Sequence, residues 1–182
     1  MKGNVAQIVP KTAIVTGGAM GIGESTVRLL VANGHQVVIG DIATEKGQAL
    51  ANELGSSCFF VECDVTQMFE VEHLVNACLE RFGGLDWLVN NAGICPARST
   101  LELTEEEWDH VLAVNLKSAW MCSKLAIPHM KSRPGAAIVN VASNAALVGF
   151  PSLAAYCASK GGLMQFTKAC ALDCAPLGIR VN

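Results

Sequence analysis

Tyr156 and Lys160 are four residues apart in a stretch that reads as a helix from about Ala154 to Ala175. At that spacing the phenol and the ammonium share a face. A phenol has a reference pKa near 10 and is a weak base at neutral pH, and a neighbouring ammonium favours its ionised form. Bringing a phenol down to about pH 7 takes ~4 kcal/mol of differential stabilisation. One exposed lysine supplies little of that; a partly desolvated lysine acting with a second cation supplies more. Read alone, the pair is more simply an ordinary amphipathic pair. Ser143 lies 13 residues before Tyr156, just after an apolar run. Its hydroxyl can bond a substrate oxygen beside the phenol, or cap a local turn with Asn144. Asn115 sits inside a long helical stretch, between Val114 and Leu116. Asn is a mediocre helix former. A buried amide there can hold water or a backbone carbonyl, or be a satisfied structural asparagine.

A second set of residues suits phosphate and ribose. The run Thr16-Gly17-Gly18-Ala19-Met20-Gly21-Ile22-Gly23 joins an apolar run to a helical one. Glycines there let the backbone turn sharply and approach a pyrophosphate, and the helix N-terminus offers free N–H groups and a positive dipole end. The alternative is a tight glycine-rich turn. Asp41 follows Gly23 by 18 residues. A carboxylate there can accept from both adenosine ribose hydroxyls and would repel a 2′-phosphate. A turn or capping aspartate is the competing reading. No basic residue precedes Gly21 in the loop, and Ile42 and Ala43 follow Asp41. NAD is therefore expected over NADP. Asp64 and Val65 can border the adenine, and Asn91, Ala92 and Gly93 after Asn90 can line the nicotinamide ribose. Asn and Asp at such places are equally turn residues.

These residues need a scaffold that brings them to one place. Short apolar runs alternate with helical ones. Strands are expected at Thr12–Thr16, Gln36–Asp41, Cys58–Asp64, Leu85–Asn90, Ala136–Ala142 and from Gly178 to Asn182. Helices are expected at about 22–33, from Thr44 as a cap to near Gly55, at 67–81, from a Thr104–Glu107 capping box to about Met130, and at 154–175. Strands alternating with helices imply βαβ crossovers. The expected fold is α/β, a doubly wound parallel sheet in a Rossmann-like three-layer αβα arrangement, forming one dinucleotide-binding and catalytic domain over residues 1–182. Ligands of such sheets bind beyond the strand C-terminal ends. The candidate residues fall just there in the sequence.

Composition narrows the classes. Of the 182 residues, 51% are hydrophobic and 16% charged, with a formal net charge of −3. That excludes global disorder and does not favour nucleic acid or an anionic membrane, which reward a basic face. The uncharged stretch from Gly135 to Ser159 carries Asn140, Ser143, Asn144, Gly149 and Pro151, which serve a lipid-spanning helix poorly. Residues 1–11 hold no long apolar stretch, so no leader is expected, the eight cysteines are read as free, and the location as cytoplasmic. The four histidines show no ligand spacing with the cysteines, so no metal is expected.

Together, Thr16-Gly17-x-x-x-Gly21-x-Gly23, Asn90-Asn91-Ala92-Gly93, Asn115, Ser143 and Tyr156-x-x-x-Lys160 resemble the short-chain dehydrogenase/reductase family in its compact, non-extended form. The resemblance covers about residues 11 to 182. It implies an oxidoreductase that interconverts a secondary alcohol and a ketone with NAD(H). Tyr156 would be the general acid/base, and Lys160 would tune it and bind the nicotinamide ribose. Ser143 would orient the substrate oxygen, Asn115 would support a proton relay, and Asp41 would select NAD. It further implies a homodimer or homotetramer, here expected through the two longest helices. The family continues with a Pro-Gly segment, a substrate loop and a seventh strand, so the chain reads as incomplete at its C-terminal end.

Ile94, Cys95, Pro96, Ala145, Leu147 and Gly149 are expected to face the substrate, which suggests a neutral or partly apolar carbonyl compound. Arg98 can meet an anion or be a surface arginine. A catalytically impaired short form acting as a nucleotide-binding or interaction protein is the alternative function. An epimerase or dehydratase of the extended type is disfavoured by the three-residue gap between Gly17 and Gly21 and by the chain length.

Overall fold

The computed structural model describes residues 9–182. The leader reading of residues 1–11 therefore lies mostly outside the described residues. Six strands form one parallel sheet: β1 Thr12–Thr16, β2 Gln36–Asp41, β3 Cys58–Glu62, β4 Trp87–Asn90, β5 Ala137–Asn140 and β6 Arg180–Val181. Their order is β3-β2-β1-β4-β5-β6. The chain steps outward from β1 in one direction, then returns to add β4 on its other side. That reversal opens a crevice above β1 and β4, the place where such sheets bind ligands.

The helices are α1 Gly21–Ala32, α2 Thr44–Leu54, α3 Met68–Phe82, α4 Glu105–Leu112, α5 Ser118–Met130 and α6 Ala154–Cys174. Successive strand residues point to opposite faces, and β1 shows the consequence. Ala13 and Val15 pack with Val37, Ile39, Val27 and Leu50 beneath α1 and α2. Ile14 packs with Val38, Leu74, Leu88 and Ile138 beneath α3, α5 and α6. Each fully buried side chain of this size is worth roughly 1.5–3 kcal/mol. The three-layer doubly wound arrangement follows from strands that are apolar on both faces.

Several boundaries differ from the sequence reading. β3 stops at Glu62, so Asp64 and Val65 lie beyond it; among the described residues its ladder partner is β2, and the last pair is Asp41 with Glu62. β4 begins at Trp87 and β5 spans only Ala137–Asn140. Thr44 is not a cap. It is the first helical residue, with Ala43 at the cap position and no side-chain bond there. The capping box at α4 is present, with Thr104 Oγ1 accepting from Glu107 N–H and Glu107 accepting from Thr104 N–H. The long helix expected from there to Met130 is interrupted by a π-helical turn at Ala113–Lys117, with Asn115 at its centre.

Among the described residues the cysteines are unpaired and mostly buried, and no helix is long and apolar enough to cross a membrane. Part of the apolar content of the two helices expected to mediate self-association serves the interior. Ala119, Met121 and Leu163 are buried, and a side chain at Gly162 would run into Leu116.

Candidate active site

The Gly-rich loop sits at the C-terminal end of β1, folded onto the end of β4. Gly17 has φ +61, and a Cβ there would stand 2.8 Å from Ala92 Cα. A Cβ on Gly23 would collide with the Gly17 carbonyl oxygen. Only glycine permits this closeness. Asn91 locks it, its Nδ2 donating to Thr16 O at 3.0 Å and Gly17 O at 2.8 Å. Thr16 Oγ1 accepts from the N–H groups of Asn91 and Ala92. Asn91 and Ala92 thus join the loop as structural clamps.

The N–H groups of Gly21, Ile22 and Gly23 at the start of α1 find no acceptor among the described residues. Met20 and Ile22 beside them are exposed. Free donors, a positive helix end and a glycine surface make a cradle that fits a pyrophosphate.

Asp41 is buried at the end of β2. Its carboxylate accepts from Ala19 N–H and Ala43 N–H, each at 2.9 Å, and so ties the Gly-rich loop to the turn before α2. Each oxygen keeps a lone pair for a further donor. Ala19 and Met20 also border a cleft that holds Arg28 and Lys46. The sequence neighbours of Asp41 gave no sign of these cations. Arg28 is bound by Glu24 and Glu53, while Lys46 is exposed. Asp64 forms a local turn, one oxygen accepting from both Thr66 N–H and Thr66 Oγ1.

The second group of residues gathers above β4 and β5. Lys160 is buried, and its Nζ donates to Val141 O at 2.7 Å. Burial pushes the ammonium below the ordinary lysine value, partly offset by the Cys95 thiol. The Nζ lies 5.8 Å from the Tyr156 ring centroid and 3.5 Å from where a Gly93 Cβ would stand. Tyr156 is half-buried, and its hydroxyl has no hydrogen-bond partner among the described residues. Two of the three Lys160 N–H donors are also spare. The arrangement can therefore deliver a proton at the Tyr156 oxygen and hydrogen-bond a hydroxylated ligand near Gly93.

Asn115 is almost wholly buried, and it does hold backbone. Its Oδ1 accepts from Ile94 N–H at 2.8 Å, and its Nδ2 donates to Ile94 O at 2.9 Å and to Ser159 Oγ at 3.0 Å. Ser143 caps a short turn, accepting from Ala145 N–H and donating to Asn144 Oδ1. The local role weighed for Ser143 is thus realised, with its side chain still half-exposed. Of the expected substrate-facing residues, Ala145 is buried, while Cys95, Leu147 and Gly149 are exposed. Arg98 pairs with Glu107 at 3.1 Å, and its N–H donates to Ser152 O, joining the loops after β4 and β5.

Ser159 and Val141 escaped the sequence reading of the site, and Thr16 and Ile94, which it named, act in ways it did not give them. Thr16 and Ser159 act through hydroxyls, and Ser159 could have been suspected as a small polar residue three positions after Tyr156 on the same face. Ile94 and Val141 act through backbone atoms, which leave no mark on residue type.

The short chain dehydrogenase family model matches residues 11–182. An uncharacterized oxidoreductase of Mycobacterium bovis is 44% identical over 174 residues, covering 94% of this chain and 70% of that protein. The trans-4-hydroxycyclohexanecarboxylate dehydrogenase of Sinomonas cyclohexanicum is 38% identical over 185 residues, covering 97% of this chain and 71% of that one. Among solved structures, a putative short-chain alcohol dehydrogenase from Sinorhizobium meliloti 1021 superposes with a TM-score of 0.91 at 34% identity, over 97% of this chain and 71% of that chain.

Proposed function

The chain belongs to the short chain dehydrogenase family of oxidoreductases, and on that premise we propose that it interconverts a secondary alcohol and a ketone with NAD(H), using Tyr156 as general acid/base. The observation that carries this reading is the buried Lys160 ammonium 5.8 Å from the ring centroid of Tyr156, whose hydroxyl has no partner among the described residues. When bound, the nicotinamide cofactor supplies or accepts the hydride. Gly17, Gly21 and Gly23, with Met20 and Ile22 at the start of α1, hold the pyrophosphate. Asp41 holds the adenosine ribose, Asp64 and Val65 border the adenine, and Asn91, Ala92 and Gly93 flank the nicotinamide side. Lys160 binds the ribose there with its spare donors and favours the phenolate of Tyr156. Ser143 turns its hydroxyl to the substrate oxygen, and Asn115 holds the Ile94 backbone and supports the proton relay.

NAD is favoured over NADP because Asp41 places a negative charge at the ribose and Arg28 is neutralised by Glu24 and Glu53, so that of the two cations lining the cleft Lys46 alone is left to meet a 2′-phosphate. The substrate is a small neutral alcohol or carbonyl compound, since Leu147 and Val148 on the loop before α6 are exposed and apolar. Self-association through the outer face of α4 to α6, where Trp108 and Trp120 are exposed, belongs to the same reading.

Fluorescence titration with NADH and NADPH tests the cofactor assignment. Wild type should bind NADH more tightly, and Asp41→Ala should narrow the difference. Preference for NADPH, or discrimination unchanged by Asp41→Ala, would refute it. Turnover of cyclohexanol with NAD tests the acid/base. Tyr156→Phe should retain NADH affinity and lose ~10²- to 10⁴-fold in rate, the usual worth of a placed proton-transfer group.

A further inference from the structure

Ser159 is fully buried one residue before Lys160. Its hydroxyl has one proton, and that proton goes to Tyr156 O at 2.7 Å. The oxygen is left to accept, and it accepts from Asn115 Nδ2 at 3.0 Å. The Ile94 backbone fixes which way the Asn115 amide faces, because its N–H can only donate to Oδ1 and its carbonyl can only accept from Nδ2, and Ser159 meets the remaining Nδ2 proton. A continuous chain of bonds therefore runs from the loop after β4, through the π turn, to the first turn of α6. It joins segments far apart in sequence: Ile94, Asn115 and Ser159.

We propose that Ser159 is a positioning residue: by bonding Asn115 and the Tyr156 carbonyl at once, it fixes where Tyr156 and Lys160 stand relative to the Gly93–Ile94 backbone. This rests on the reading of Tyr156 as acid/base. The physical reason lies in the π turn. Asn115 sits where the helical ladder changes register, and Ser159 Oγ is the acceptor that ties this turn to α6. Without it, a buried N–H loses its partner, and α6 can shift against the π turn. Misplacing a reacting group by about 1 Å can cost ~10²-fold in rate.

Tyr156 is the single tyrosine of the chain, so ε-¹³C-tyrosine labelling gives one ring signal that reports its surroundings. Thr167 supplies a matched control. It lies on the same helix, accepts from Asn140 Nδ2 at 2.8 Å and donates to Leu163 O at 2.7 Å, without touching Asn115. The full chain is labelled as wild type, Ser159→Ala, Thr167→Ala, Asn115→Ala and the Asn115→Ala/Ser159→Ala double variant. Melting temperature and NADH affinity are measured beside the spectra.

Both hydroxyl deletions should lower the melting temperature by similar amounts. Only Ser159→Ala should shift or broaden the Tyr156 signal, and its turnover of cyclohexanol should fall ~10-fold or more with NADH affinity kept. The double variant should match Asn115→Ala, because Ser159 acts through that amide. A Tyr156 signal unmoved by Ser159→Ala, or moved equally by Thr167→Ala, would overturn the proposal. So would losses in the double variant that simply add. The signal is read without substrate and decides the matter whatever alcohol is turned over. Full turnover by Tyr156→Phe would instead remove the acid/base reading and leave the spectra to judge Ser159.

Discussion

The two ends of the sheet are built on opposite terms. At the N-terminal ends of the strands, Asp86 is buried and saturated. It accepts from Thr12 N–H at 2.9 Å, from Arg133 Nε at 2.9 Å and Nη2 at 3.2 Å, and from Lys11 Nζ at 3.4 Å. Lys11 Nζ also caps Pro134 O, Trp87 Nε1 reaches Gly135 O, and Lys11 N–H reaches His35 Nδ1. Four strand beginnings are tied together in this way. At the C-terminal ends, the first N–H groups of α1, two Lys160 protons and the Tyr156 hydroxyl have no partner among the described residues. One end commits its polar groups to the fold, and the other, though Asp41, Asn91 and Asn115 are bonded there, leaves several without a protein partner among the described residues. Groups bonded into the fold and groups left without a partner are thus separated along a single sheet.

The largest expected effect sharpens that contrast. Tyr156→Phe should cost ~10²- to 10⁴-fold in turnover while changing unfolding free energy by no more than about 0.5 kcal/mol, because the hydroxyl it removes holds nothing in the fold. Urea unfolding read beside the rate checks this. A large stability loss would mean that the upper end also relies on its polar groups.

Asp86→Ala should do the reverse. Removing one partner from a buried ion cluster costs about 3 kcal/mol, the lower end of the range because Arg133 is partly exposed. NADH affinity should be retained at temperatures where the variant is folded. The pH dependence follows from the direction of the shift. Burial raises the Asp86 pKa, but Arg133, the Thr12 N–H and Lys11 outweigh it and hold the carboxyl below its ordinary value. Such a group contributes stability that is present above the unfolded-state carboxylate pKa and is lost as pH falls through the folded one. The gap between wild type and Asp86→Asn should therefore narrow in acid, below about pH 4. A gap independent of pH across that window would show that the charge is not what binds the lower end.

The smallest expected effect is the most direct attempt to break the comparison. Lys160 is desolvated, with a pKa held below the ordinary lysine value. Stability from such a group rises with pH, since the unfolded chain keeps its proton where the folded one releases it. Lys160→Met should keep the aliphatic volume, remove the buried charge and raise unfolding free energy by about 1 kcal/mol at neutral pH. NADH affinity and turnover should fall. If Lys160→Met instead destabilised the protein, Lys160 would belong with Asp86 as a structural cation.

Much of this was legible from residue order. Alternating apolar runs gave the βαβ plan, and the glycine spacing gave the loop after β1, because both depend on local backbone geometry and period. The Thr104–Glu107 cap was legible for the same reason. The π turn at Asn115 was not, since a helix with one extra residue keeps the composition of an ordinary helix. Strand lengths were misread at Asp64 and Ala142, because a strand ends where its neighbour stops pairing.

The residue types and spacings by themselves determined the fold class, the glycine cradle and the Tyr156–Lys160 face, all of which rest on contacts within a few positions of the chain. The tertiary structure alone decided which groups became saturated. Asp41 tied to Ala19 and Ala43, Asn91 clamping Gly17, Arg28 and Lys46 lining the cleft at Met20, and Ser159 accepting from Asn115 all join residues from different elements. Hydrogen bonding depends on distance and direction to about an ångström, and only the packed sheet and helices set those for groups so far apart along the chain.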